Sequence, residues 1–263
     1  MDSSASFQFL VDELRLERRV YAPDWRGYGL TSRASAVDAY WFADYLADLD
    51  ALLAALTPEE PVDLVAHSMG GNIACLYAGV RPQRVRRLIN LEGYGLPATT
   101  PEQAPERYRA WLDEIREPMV ERVWPSLEHL VVRMRRNNPR LDPARARWLA
   151  QHWAQEVEPE GWQLVADPAH RRRNPYLYRL EEALACWRQI TAPVLLVESS
   201  HPDAWHQFTR EPAYRERLKA FKSLQLATLA DSGHMLHHDQ PAALARLIEA
   251  FLLEPLPATA ASV

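Results

Sequence analysis

Asp63-Leu-Val-Ala-His-Ser-Met-Gly-Gly-Asn72 is the stretch whose reading decides the fold. Its first half is a short apolar run, as in a buried strand. Its second half opens on two glycines and a helical pattern. A strand passing directly into a helix through His67-Ser68-Met69 puts Ser68 on a sharp turn, with its hydroxyl raised above the end of the sheet. Such a turn asks for small residues two before and two after the serine. Ala66 and Gly70 supply them, so the pattern G-x-S-x-G is met with alanine for the first glycine. A serine hydroxyl becomes a useful nucleophile when a base takes its proton. The Met69 N–H, at the head of the next helix, is placed to donate to the oxyanion that forms. The plainer alternative is a serine that only caps a helix.

Working outward, Ser3 to about Glu17 carries apolar residues near helical spacing, and Arg19 to Asp24 reads as a short buried strand. A turn-rich stretch, Asp24 to Ser32, follows. Ser35 to Leu56 reads as a long helix with Val37, Trp41, Leu46, Leu49, Leu52 and Leu53 towards the core. Val62–Val65 is a strand, Gly70–Gly79 a helix and Val85–Leu91 a strand. That alternation implies parallel strands joined by crossovers. From Pro97 to about Ile190 the pattern is helical, broken by prolines, with no convincing buried strand. It holds six of the nine tryptophans: Trp111, Trp124, Trp148, Trp153, Trp162 and Trp187. The alternation resumes with a strand at Pro193–Val197, a helix near Glu211–Ala220, a strand at Leu224–Leu229 and a helix at Pro241–Leu253. The expected organisation is a core of residues 1–96 and 191–263 with a helical cap of residues 97–190. The Pro/Ala-rich tail from Glu254 is expected to fray.

With 263 residues, 48% hydrophobic and 25% charged, the chain has ample material for one large α/β core. Net charge is −5 with no long run of one sign, which argues against nucleic acid as a partner. Cys75 and Cys186 are too few and too far apart for a disulfide framework, and they fit a reducing compartment. No secretion signal and no long apolar span stand out, so a cytoplasmic enzyme acting on a small molecule, off the membrane and able to form homo-oligomers, is the expectation.

The stretch Ala230-Asp-Ser-Gly-His-Met-Leu-His-His-Asp-Gln-Pro241 follows the last strand and precedes the last helix. A loop there can deliver a base, His234, to a serine on a central strand. His234, His237, His238 and Asp239 could instead gather a metal, but no cysteine or spaced glutamate completes a set, so neither metal nor cofactor is expected. Together Pro23-Asp-Trp-Arg-Gly-Tyr-Gly29, Ala66-His-Ser-Met-Gly-Gly71 and Gly233-His-Met-Leu-His-His-Asp-Gln-Pro241 resemble the α/β-hydrolase superfamily, in its cap-bearing esterase, C–C hydrolase and epoxide-hydrolase-like branch. The resemblance implies an α/β-hydrolase fold, a mostly parallel sheet with flanking helices and a cap. It makes His234 the base and His237 a structural histidine. Serine at position 68 argues against epoxide hydrolases and haloalkane dehalogenases, which place aspartate there.

A carboxylate must orient the imidazole. The family usually sets it after the strand that precedes the final helix–strand pair. Here Ser199 replaces the usual glycine, Pro202 falls at the acid's place and Asp203 is one residue late. Some members set the acid one core strand earlier, which points to Glu92. Glu92 is preferred, with Asp203 and Glu198 as alternatives. The resemblance also implies strands and a His-Gly oxyanion loop ahead of residue 1. Asp2 would match the aspartate of a His-Gly-x-x-Asp pattern, so the chain reads as lacking its first strands. Three functions follow. The first is hydrolysis of a small or medium apolar carboxylic ester through an acyl-enzyme. The second is C–C or amide cleavage on the same scaffold. The third is a binding protein impaired by loss of one oxyanion donor. Cap aromatics are expected above Ser68, and Asp167 to Pro175 could meet an anionic group or be a solvated loop.

Overall fold

A computed structural model describes residues 2–31, 39–203 and 205–256. A 3-10 turn at Ser4–Phe7 leads into α1, Gln8–Glu13. Then come α2 (Phe42–Leu56), β1 (Val62–His67), α3 (Met69–Val80) and β2 (Val85–Leu91). The 97–190 segment holds α4 (Ala104–Arg116), β3 (Val123–Trp124), α5 (Leu127–Asn137), α6 (Pro143–Trp153), β4 (Ala154–Val157), β5 (Gly161–Leu164) and α7 (Leu180–Trp187). β6 (Val194–Ser199), α8 (Pro212–Arg217), β7 (Leu224–Leu229), α9 (Leu236–Asp239) and α10 (Pro241–Leu253) complete the order.

Four parallel strands form the main sheet in the order β1-β2-β6-β7. Successive side chains on a strand point to opposite faces, and this sheet is covered on both. Leu88, Val194 and Leu196 join one apolar cluster with α2, α3 and α7. Ile89, Leu91, Leu195 and Val197 join the other, with Leu10 of α1 and Leu244, Ile248 and Phe251 of α10. This explains why Val194–Val197 of β6 reads as an unbroken apolar run, while β2 holds Leu88, Ile89 and Leu91 around a buried Asn90.

The expected strand at Arg19–Asp24 is not one. Val20 and Tyr21 are 48% and 47% exposed. A strand needs a neighbour to satisfy its ladder. Among the described residues β1 pairs only with β2, and Arg18, just ahead of this segment, meets β1 through an ion pair with Asp63 rather than a ladder. α2 starts at Phe42, later than expected, where the Asp44 carboxylate accepts the Trp41 N–H at 3.0 Å and favours the helix N-terminus. Residues 32–38 and 257–263, including Ser35, Val37 and most of the tail, lie outside the described residues.

The 97–190 segment is not purely helical. β3, β5 and β4 make a small antiparallel sheet in that order. With α5 and α6 it encloses a separate apolar cluster around Trp124, Leu130, Met134, Leu149 and Ala150. Short strands such as Ala154–Val157, in which Gln155 and Glu156 are both exposed, hold no apolar run and so escape a search for one. α7 packs against α3, and Trp187 stacks on Phe221 in the main core. A bridge between Tyr28 and Ala166, with Gly29 N–H donating to the Val165 carbonyl at 2.8 Å, ties this segment to the turn after Asp24.

Candidate active site

The site grows from strand register. His67 pairs with Leu91, and Leu91 with Val197, so Ser68 and Glu92 each follow the paired end of adjacent strands. The Ser68 N–H donates to the Leu91 carbonyl at 2.8 Å, and the Glu92 N–H to the Val197 carbonyl at 3.1 Å. Both chains then turn sharply. Ser68 has φ 51° and Glu92 φ 54°, and Asp231, at the start of the histidine loop, has φ 53°. Left-handed backbone is costly for residues with a Cβ and persists where its surroundings hold it. Among the described residues all non-glycine positive φ values fall on these three turns.

What holds the first two turns together is a glycine-to-glycine contact. A Cβ on Gly93 would stand 2.5 Å from the Ser68 carbonyl oxygen and 2.6 Å from Gly71 Cα. A Cβ on Gly71 would stand 2.5 Å from Asn90 Oδ1 and 2.9 Å from Gly93 Cα. The Asn90 side chain, fully buried, accepts from Gly93 N–H at 2.7 Å and donates to the Gly93 carbonyl at 2.7 Å. It thereby closes the turn that presents Glu92. Gly70, by contrast, has only ordinary contacts at 3.8 and 3.9 Å around a would-be Cβ, the second to Ala66. The small residue demanded by close approach is therefore Gly71. Its doublet with Gly70 was visible in the sequence, but Gly93 and Asn90 carried no signal there.

Three side chains converge. His234 Nε2 lies 3.1 Å from Ser68 Oγ, and His234 Nδ1 lies 2.8 Å from Glu92 Oε2. The other Glu92 oxygen accepts the Ser199 N–H at 2.6 Å. Glu92 is buried, and burial works to raise its pKa. Hydrogen bonds from His234 and Ser199 and the nearby His234 charge outweigh burial, so the carboxyl is held below its ordinary value. Met69 opens α3, so its N–H is one of the helix-head donors that have no partner inside the helix.

The other expected carboxylates are elsewhere. Glu198 is bound bidentately by Arg215, at 2.6 and 2.9 Å. Asp203 is solvent-exposed. The histidine cluster divides by partner. His234 faces Ser68, whereas His237 and His238 turn to Ser6, whose Oγ is 2.8 and 2.6 Å from their Nε2 atoms. Ser6 donates to Asp2 at 2.8 Å, so both histidines donate to Ser6. Asp2, His237 and His238 do bring ligand atoms within 4.8 Å of one another, but the Ser6 hydroxyl already joins them. Burial pushes the Asp2 carboxyl up to about 6. Asp239 accepts the Gly233 N–H at 2.8 Å and an Asn138 N–H at 2.7 Å, which anchors the His234 loop to the end of α5.

Most of the expected pocket aromatics are spent on packing. Trp124 sits within the 97–190 cluster, with Trp148, Trp153 and Trp162 against it, and Trp187 belongs to the main core. Arg172 and Arg173 are engaged at the end of α4, on backbone carbonyls and on Glu114. Among the described residues no helix is long and apolar enough to cross a membrane.

The chain is similar to several known hydrolases. A "Serine hydrolase-like protein" of Danio rerio is 27% identical over 264 residues, covering 97% of this chain and 80% of that one. A "2-hydroxy-6-oxo-2,4-heptadienoate hydrolase" of Pseudomonas putida is 37% identical over 92 residues, 35% of this chain and 33% of its own. The solved thioesterase domain from the curacin biosynthetic pathway superposes with a TM-score of 0.80 at 28% identity, covering 94% of this chain and 87% of that one. The alpha/beta hydrolase family matches residues 2–247, and the chain belongs to it.

Proposed function

We propose that the chain is a serine hydrolase that cleaves a small or medium apolar carboxylic ester through an acyl-enzyme. The observation that carries this reading is the unbroken line Ser68 Oγ, His234 Nε2, His234 Nδ1, Glu92 Oε2, with links of 3.1 and 2.8 Å. His234 Nε2 takes the Ser68 proton as Oγ attacks the ester carbonyl, and Glu92 holds the imidazole in the tautomer that leaves Nε2 free to accept. The Met69 N–H donates to the carbonyl oxygen as it becomes negative. His234 then returns the proton to the departing alkoxide. A water activated by the same nitrogen releases the acid and restores Ser68.

The stretch shared with the Pseudomonas putida hydrolase favours C–C cleavage as the second reading. The deciding experiment measures p-nitrophenyl butyrate turnover beside a vinylogous diketone. Ser68→Ala and His234→Ala should each lower ester turnover by about four powers of ten or more. Unchanged turnover in both variants sinks the proposal. Serine-dependent turnover of the diketone alone transfers it to the second reading.

A further inference from the structure

We propose that His67 is a positioning residue for the base: its Nε2–H, donated to the His234 main-chain carbonyl, pins the base loop to the strand that carries Ser68. The proposal rests on His234 acting as base, but its geometry stands apart. His67 is the last residue of β1 and immediately precedes Ser68. Its Nε2 lies 2.7 Å from the His234 carbonyl oxygen. A carbonyl can only accept, so Nε2 of His67 carries the hydrogen. The loop is thus tied at two points, Gly233 N–H by Asp239 at 2.8 Å and His234 C=O by His67 at 2.7 Å. Residues 230–235 form no helix or strand of their own, so these bonds do much to fix where the imidazole stands.

The surroundings keep His67 neutral. Its ring lies 4.5 Å from the His234 ring and 4.7 Å from the His237 ring. His238 and Glu92 are its other ionisable neighbours. Burial, reinforced by the charge of His234, pushes the His67 pKa down to about 3. A neutral neighbour that donates to the backbone of His234 locates it without opposing the positive charge its ring gains on taking the Ser68 proton. A charged neighbour would oppose that charge. Among side chains that could sit here, histidine is long enough to reach the carbonyl and weakly basic enough to stay uncharged in a buried place.

The test compares three substitutions. His67→Phe keeps the ring volume and removes the donor. His67→Gln keeps a donor near the Nε2 position. His67→Asn carries a donor too short to reach. With p-nitrophenyl butyrate, the Phe and Asn variants should lose about ten- to a hundred-fold in kcat with KM within about two-fold, and Gln should return to within about three-fold of the parent. The downfield proton of the His234 Nδ1–H···Glu92 bond, seen by NMR without substrate, should stay sharp in Gln and broaden in Phe and Asn. A role in packing alone gives the reverse order, with Phe intact and Gln impaired, and overturns the proposal. So does a Gln variant as impaired as Asn. If the parent protein turns over no ester while the NMR signal follows the expected order, the ester reading fails and the positioning role stands.

Discussion

The two long edges of β1 have different fates. On one side the strand is laddered to β2, with one register shift after Val62 and then residue by residue from Asp63 to His67, and at the end of that ladder stand Ser68 and Glu92. On the other, β1 ends the sheet order with no ladder partner among the described residues, and Arg18 meets it through Asp63. The lesson is that the geometry of the site is set from one side of β1, by register with β2 and β6. Hydrogen bonds spaced by the sheet place two backbone turns side by side, and side chains complete the rest.

The largest effect expected on that reading is at Glu92, the proposed acid. Glu92→Gln leaves the size of the side chain intact but offers His234 Nδ1 an amide that can donate. This stabilises the tautomer with its hydrogen on Nε2, which cannot accept from Ser68. Ester turnover should fall by about three to four powers of ten, while Asp203→Asn, at an exposed position, should leave it within about two-fold. Equal losses in the two variants would break the assignment of the acid to the β2 side.

A smaller effect is expected at the contact between the turns. Gly93→Ala drives a methyl onto the Ser68 carbonyl and Gly71 Cα, both backbone, which must move apart. Turnover should drop by about ten- to a hundred-fold in protein that remains folded, because a displacement near 1 Å suffices. Gly70→Ala meets only ordinary contacts and should cost less than about three-fold, beyond which the elbow is tighter than its neighbours indicate.

The base side carries a pH dependence of its own. Burial holds His67 and His238 at about 3, and His237 well below its ordinary value, so all three are neutral when folded. Unfolded, they take up protons below about pH 6.5. These three groups outnumber Asp2, whose carboxyl at about 6 acts in the opposite sense, so the unfolded chain binds more protons than the folded one and stability falls as pH drops from about 6.5. Glu92, held low, acts in the same sense as pH falls further through the carboxylate range. Thermal midpoints should drop by about 10 °C or more between pH 7 and pH 5. A midpoint that stays level to pH 5 would mean that these histidines are charged in the fold.

How much could be read from the sequence follows the same divide. The turn that carries Ser68 and the loop that carries His234 are legible because a strand-to-helix turn and a histidine-rich loop each leave a local pattern. β2, β7 and α10 were legible because apolar runs and periodic faces are local too. Glu92 remained one of three candidates. Its selection depends on a long-range ladder that brings Leu91 beside Val197 and on a bond from Ser199, neither of which leaves a mark near residue 92. The Arg19–Asp24 run misled because apolar and β-branched residues announce a strand but cannot supply its neighbour. The small sheet of the 97–190 segment was missed because its strands are short and half polar.

That segment provides the mildest test. Leu149 on α6 is fully buried in a cluster separate from the two that flank the main sheet. Leu149→Ala should cost about 2–5 kcal/mol of packing within the segment. If the cluster is energetically its own, p-nitrophenyl acetate turnover at 25 °C should change by less than about three-fold, because no bond of the Ser68–His234–Glu92 line passes through it. There is a route by which it could fail. Arg145, on the same helix, donates to the His238 carbonyl at 2.8 Å, and Asn138, at the end of α5, holds Asp239. Loosened packing around Leu149 would let both anchors shift, and the base loop with them. A ten-fold or greater loss in kcat, rescued by no change of substrate, would show that the site is held from the 97–190 side as firmly as from β2, and the one-sided account of its geometry would have to be abandoned.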